Sequence, residues 1–226
     1  MPSPTGATDL VQKEEVMAKP QIKMGASITN YHQVCFSPNV MVSPQATICG
    51  SVFIGADSSV FAGTQIRGDC EPIYIDAQTC IQENSCLHVS VGSKMTIGNR
   101  VTIGHGAILH GCTIEDNVLV GMGAIIMDDV IIANDCLVAA GSLVTQGKVF
   151  EPRSLIMGAP ARKVRTLTDE ELEMWVTVAS DAYAEVARNM TANGLMVTPP
   201  AGTNIWPLPR MFDSAAAGGM FIGGVC

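Results

Sequence analysis

Residues 101–144 read "VTIGHGAILHGCTIEDNVLVGMGAIIMDDVIIANDCLVAAGSLV", and an aliphatic side chain returns there almost every sixth position. Ile103 and Leu109 are followed, after one shortened step, by Ile114, Val120, Ile126, Ile132, Val138 and Val144. Worked outward, the same phase runs back through Ile97, then Leu87, Ile81 and Ile75. It continues unbroken from Ile66 through Val60, Ile54, Ile48 and Val42 to Phe36. A small or β-branched residue sits four positions after most of these, as at Ala46, Val52, Thr64, Ala107, Ala124 and Ser142. A helix would repeat its apolar residues every three and four positions, and a half-buried strand would alternate. A period of six fits neither; it marks a solenoid in which each repeat is one short strand and one corner.

Three such repeats close a triangular coil, with the aliphatic residue pointing inward and the small residue packing beneath it. Asn99, Asn117 and Asn134 fall at corners, where a positive φ would be tolerable for that residue type. The pattern resembles the hexapeptide repeat. That resemblance implies an all-β solenoid, a left-handed parallel β-helix of about six coils, over residues 25–150. Residues 1–24 are read as an N-terminal extension and residues 151–190 as a connecting segment with a C-terminal amphipathic α-helix. In "TLTDEELEMWVTVASDAYAEVARNM", Thr168 and Glu171 have the spacing of a capping box. Leu172, Trp175, Val176, Ala179, Tyr183 and Val186 then recur at helical spacing, as a stripe expected to pack on the prism. Residues 191–226 are an extended, apolar, glycine-rich tail.

Composition narrows the function. Aromatics are only 5% of a chain that is 47% hydrophobic, so the core must be built from Val, Ile, Leu, Ala and Met. A formal net charge of −8 excludes a nucleic-acid partner, which would need a basic stripe. No apolar run approaches the ~20 residues of a transmembrane segment. The stretch "MPSPTGATDLVQKEEVMAKPQ" has neither the apolar core of a secretory signal nor the arginines of a transit peptide. Eight cysteines without C-x-x-C spacing read as free buried thiols in a reducing compartment.

The histidines carry the chemistry. Ile66, Leu87 and Leu109 open the sixth, ninth and twelfth repeats, which stack on one face of the prism. The residues just after them are Arg67, His88 and His110, pointing outward one strand spacing (~4.8 Å) apart. His88 and His110 can therefore share one ion. His105 belongs to the preceding face, with Gln82, and lies ~16 Å along the chain from His110. One chain cannot close a three-histidine site. Two can, if the first face of one docks on the second face of the next, and a three-fold ring repeats that contact. Three histidines with an open fourth position are the ligand set of a catalytic Zn²⁺; Fe²⁺ or Co²⁺ suits the same imidazoles.

The blocks "IRGDCEPIYI", "IQENSCLHV", "IGHGAILHGCTIEDNVLVGMGAI", "VAAGSLV" and "GAPARKVRTLTDEE" resemble, in order, those of the γ-class carbonic anhydrase family over about residues 36–190. The resemblance implies a trimer with zinc held between subunits by His88, His105 and His110, and reversible hydration of CO₂ to bicarbonate. It matches Gln82 to the glutamine that hydrogen-bonds the zinc-bound water. Arg67 and Asp69 match the interface pair expected to link two subunits beside the site, and Tyr183 matches a family tyrosine by helix position. Cys70 stands where the best-studied type has a glutamate, and Cys80 where the family often has an asparagine. The segment after His88 is only "VSVGSKMT", which leaves the proton carrier unassigned. Hexapeptide acyltransferases share the expected fold, but one histidine acting as general base serves them. The family also includes matrix-side subunits of mitochondrial respiratory complex I. That implies a mitochondrial matrix location, with a cytoplasmic one as the alternative. It also implies a homotrimer or a heterotrimer with paralogous subunits, attached to a larger membrane complex through the two extensions, whose trimer matters more than its turnover.

Overall fold

A computed structural model describes residues 34–202; the extension of residues 1–24 and the tail beyond residue 202 lie outside the described residues. The inward apolar residues form three stacks in parallel register. One runs Ile48, Ile66, Leu87, Leu109, Ile126, Val144. The second runs Phe36, Ile54, Ile75, Ile97, Ile114, Ile132, Phe150. The third runs Val42, Val60, Ile81, Ile103, Val120, Val138, Ile156. Apart from Phe150, no member is more than 2% exposed. The spacing of six thus persists beyond Val144, through Phe150 to Ile156, and the left-handed β-helix has about seven turns rather than six.

The first two stacks belong to one eleven-stranded sheet, because the strands Thr47–Ile54 and Gln65–Ile75 run through the corner between two faces. The third face is a separate eight-stranded sheet, ending in the antiparallel hairpin Ser154–Gly158 and Ala161–Thr166. Asn117 takes a positive φ of 54°, whereas at the other two corners the left-handed residue is the next one, Arg100 or Asp135. Asn99 and Asn134 are occupied otherwise. The Asn99 side-chain oxygen accepts the Ala77 amide at 3.2 Å, and that of Asn134 accepts the Asp116 amide at 2.8 Å. Each asparagine holds the coil before it and leaves the tight φ to its neighbour.

Thr168 and Glu171 form both arms of the capping box, and the helix starts at Asp169 as expected. It is interrupted by a π turn over Glu173–Thr177, between α1 (Asp169–Leu172) and α2 (Val178–Ala192). The wider turn shifts the helix register, so Val176, Ser180 and Ala187 are the buried positions, while Trp175 and Val186 of the expected stripe are exposed. Both Arg165 guanidinium arms donate to Glu171 at 2.6 Å, tying the helix start to the hairpin. Ala187 and Met196 bury Met41, Phe61 and Cys80 of the third face. Among the described residues, no helix is long and apolar enough to cross a membrane.

The expectation of free buried thiols holds only in part. Cys80, Cys112 and Cys136 are free and buried, and burial pushes the Cys80 and Cys112 thiols up to about 12. Cys86 is free but exposed, because its position points outward from the prism. Cys35 is disulfide-bonded, which free cysteine spacing alone does not reveal.

Candidate metal centre

Arg67, His88 and His110 are directly paired in parallel register, as the repeat phase requires. The three extra residues of "RGDCEP" are absorbed as a bulge in the long strand, opposite Gly50 and Val52. Gly50 has a φ of 86°, and a β-carbon there would lie 2.3 Å from the Gly68 carbonyl oxygen, so only glycine lets the bulge close. The bulge turns Asp69 back onto the column. Its carboxylate takes His88 Nε2 at 2.9 Å with one oxygen and the Arg67 guanidinium with the other. Desolvation opposes ionisation of Asp69, but the hydrogen bonds from His88 and Arg67 outweigh it and hold the carboxyl below its usual range. Desolvation lowers His88, with the Arg67 charge acting in the same direction and Asp69 against it. A neutral ring is what a metal requires.

His88 Nδ1 faces His110 Nε2 at 3.0 Å. The other nitrogen of His110, Nδ1, meets Asp128 Oδ1 at 2.7 Å. His105 stands on the third face, at the corner after Ile103 and Gly104. A β-carbon on Gly104 would come within 2.7 Å of the Met122 amide nitrogen, so the close stacking of coils here demands glycine. The His105 N–H donates to Gln82 Oε1 at 3.1 Å, and its ring Nδ1 meets Glu83 Oε2 at 2.7 Å. Gln82 is 2% exposed and its Nε2 has no hydrogen-bond partner.

One chain therefore brings Arg67, Asp69, His88 and His110 together on one face, and Gln82 with His105 on another. It does not unite the three histidines. Among the described residues, the three ligand-bearing side chains that converge within one chain are Asp69, Cys70 and His88. Within the chain Arg67 already pairs with Asp69, so that ion pair braces His88 locally before any neighbour is considered.

The donor set suits a divalent cation. All three histidines have one ring nitrogen on a carboxylate, Asp69, Asp128 or Glu83, which leaves His88 Nδ1, His110 Nε2 and His105 Nε2 as donors. Metal-ligating histidines characteristically give their second nitrogen to a carboxylate or carbonyl. Two imidazole nitrogens on one tetrahedral ion, each ~2.05 Å from it, lie about 3.3 Å apart, close to the observed 3.0 Å. Asp128 and Glu83 were not singled out from the sequence. Glu83 was within reach, since it and His105 occupy the same position of successive repeats on one face. Asp128 was not, because it lies two residues after Ile126 whereas His110 lies one after Leu109.

Beside His105 a cavity of about 570 Å³ opens between the third face and the helix, lined among others by Gln82, Thr102, His105, Leu119, Trp175 and Tyr183. Tyr183, half-buried, thus shares a cavity with Gln82 and His105.

The repeat pattern and the parallel register define a hexapeptide-repeat protein. The family model described as "Bacterial transferase hexapeptide (six repeats)" matches residues 111–146. A Methanocaldococcus jannaschii protein named "Probable carbonic anhydrase" is 47% identical over 137 residues, covering 61% of this chain and 86% of its own. "Gamma carbonic anhydrase 1, mitochondrial" of Arabidopsis thaliana is 39% identical over 65% of this chain and 55% of its own length. "Carnitine operon protein CaiE" of Citrobacter koseri is also 39% identical, over 66% of this chain and 76% of its own. Among solved structures, a hexapeptide transferase family protein from Anaplasma phagocytophilum superposes with a TM-score of 0.66 at 36% identity, covering 69% of this chain and 92% of its own. The chain belongs to the γ-carbonic-anhydrase-like family of hexapeptide-repeat proteins. An N-acyltransferase from Bacillus cereus, AntD, reaches a TM-score of 0.52 at 15% identity, which is likeness of fold alone.

Proposed function

We propose that the chain is a γ-type carbonic anhydrase, interconverting CO₂ and bicarbonate, with its metal held between subunits of a trimer. His88 and His110 of one chain and His105 of the partner subunit would hold Zn²⁺, or Fe²⁺ or Co²⁺ with the same donors. The observation that carries this reading is the carboxylate on the second nitrogen of each of the three histidines. Such a partner fixes the tautomer and makes the free nitrogen a better donor.

A divalent cation held there supplies a Lewis acid that brings the pKa of water near neutrality. The chain's own residues do the positioning. Gln82, its oxygen taken by the His105 N–H, has only donor hydrogens left and orients the attacking oxygen through Nε2. Asp69 and Arg67 hold the His88 ring, and Asp128 and Glu83 hold the other two.

A second copy is supported by the surface around the histidines. Cys86, Ile108, Ile125 and Leu143 form an outward ladder in register beside His88 and His110. Ile108, Ile125 and Met127 are each about two-fifths exposed, an apolar strip suited to burial against another subunit. The ring is a homotrimer or a heterotrimer with paralogous chains. A mitochondrial matrix location, with attachment to respiratory complex I, is part of the proposal; the likeness to the two Arabidopsis proteins named mitochondrial supports it. Co-migration of the native protein with complex I on native gels tests that part.

Metal content per chain, measured with molar mass and CO₂ hydration rate, tests the centre. About one zinc per chain in a trimer is expected, lost together with activity in His105→Ala. A metal-free trimer from metal-replete medium, or a His105→Ala variant that keeps its metal, refutes the intersubunit site.

A further inference from the structure

After the helix the chain returns to the end of the solenoid that holds the first coil. Val197 pairs antiparallel with Val42: its N–H donates to the Val42 carbonyl at 2.9 Å, and the Val42 N–H donates back at 2.8 Å. The Gly202 N–H then donates to the Phe36 carbonyl at 2.9 Å. Val42 belongs to the third stack and Phe36 to the second, so residues 197–202 run backwards along the first coil from one face to the next. The open edge of a terminal coil needs such a cover.

The face reached at Phe36 carries an outward ladder one position before the second stack. It runs from Cys35 through Phe53, Tyr74 and Thr96 to Ile131 and Val149. The Phe53 and Tyr74 rings stack with centroids 5.0 Å apart, and Tyr74, Ile131 and Val149 are exposed. The proposed trimer joins the other two faces and leaves this one outside. Cys35, at the head of the ladder, is disulfide-bonded, whereas Cys49, Cys70, Cys80, Cys86, Cys112 and Cys136 are free. Of the eight cysteines, Cys226 is then the one left to be its partner within the chain.

We infer that residues 203–226 lie on this ladder as an apolar strap, leaving the first coil beside Phe36 and returning to it through a disulfide between Cys35 and Cys226. The length suits that path. The ladder spans six strand spacings, about 29 Å. A segment of about 24 residues extends to at most ~79 Å, enough to run out and back. The chemistry suits it as well. Residues 205–212 and 220–225 are largely apolar, "SAAAGG" at 214–219 supplies the turn between them, and Arg210 and Asp213 are the only charges of the segment. Closure balances as two thiols giving two hydrogens to a disulfide oxidant such as glutathione disulfide, which leaves as two thiols. No metal ligand takes part, so the inference goes beyond the anhydrase reading and does not rest on it.

Two measurements on the full-length protein test it. In the first, the protein is equilibrated with glutathione disulfide, its free thiols are blocked with iodoacetamide, and it is digested without reduction and mapped by mass spectrometry. A Cys35 peptide joined to the Cys226 peptide is expected, in protein that runs as a monomer on a denaturing, non-reducing gel. Cys35 recovered alkylated, or joined to any other cysteine, would overturn the inference. So would a bond to a second chain, which would make another copy the occupant of the face. In the second, trypsin cleavage after Arg210 is measured in the reduced protein, relative to cleavage after Arg188 in α2. Tyr74→Glu and Ile131→Glu put a charge on the ladder at exposed positions and should each raise that ratio about tenfold by unseating the strap. A ratio unchanged in both variants would overturn the inference even if the disulfide is found. Loss of zinc binding in His105→Ala moves neither readout, so failure of the anhydrase reading and failure of this one are told apart.

Discussion

Asp128→Ala should weaken metal binding while leaving the fold intact. The carboxylate sits 2.7 Å from His110 Nδ1 and is not a member of the buried apolar core. Its side chain is 23% exposed and that of His110 33%, so in the metal-free protein the pair is a near-surface contact. Such contacts are worth about 0–1 kcal/mol. Its main effect falls on His110, whose ring loses the group that sets its tautomer and orientation. Loss of such a partner typically costs about 10–100-fold in metal affinity. The consequence for stability follows from linkage. At a free metal concentration 100 times the wild-type Kd, binding stabilises the fold by about 2.7 kcal/mol. A tenfold weaker Kd leaves about 1.4 kcal/mol, and a hundredfold weaker one about 0.4 kcal/mol. Competition with a fluorescent zinc chelator reads the affinity, and thermal unfolding with and without zinc reads the linkage. Asp129→Ala is the control, because that neighbour pairs with Ser93 and Gln146 instead of a histidine. If Asp128→Ala binds zinc like Asp129→Ala while His110→Ala loses it, the carboxylate does not position the ring and the reasoning fails.

Ile103→Ala removes a fully buried member of the third stack and should cost about 2–5 kcal/mol in urea unfolding; a loss below 1 kcal/mol would mean the coils collapse around the gap. Glu171 is held at about 2 by hydrogen bonds from Arg165 and then from the Thr168 backbone, below its ordinary 4.5. Because the folded value is depressed, its contribution is complete above about pH 4.5 and disappears as pH falls toward 2. The difference in melting temperature between wild type and Glu171→Gln should therefore be present at pH 7 and close in acid; a gap that persists at pH 2 contradicts the assignment. A water-soluble thiol reagent should reach Cys80 and Cys112 only on unfolding, and prompt labelling of either buried thiol, followed by peptide mapping, would show that the prism opens locally.

What could be read from the sequence follows from how regular each feature is. A solenoid repeats one environment, so the register of Ile66, Leu87 and Leu109 puts Arg67, His88 and His110 in one column. It separates His105 from that column just as firmly, which is why the proposed metal centre draws on a second chain. Departures from the period were harder. The π turn has no sequence mark beyond an apolar stripe that fits 3.6 residues per turn equally well, so Trp175 was assigned inward and stands outward. Asn99 and Asn134 have the residue type of a left-handed corner, yet each spends its side chain on the coil before it and passes that φ on to Arg100 or Asp135. The carboxylates behind the histidines show the same limit. Glu83 follows from phase, whereas Asp128 and the Asp69–His88 contact depend on side-chain reach and on how a three-residue bulge folds back. Where chemistry uses the repeat, the period suffices to find it; where it uses an exception to the repeat, the geometry of that exception has to be seen.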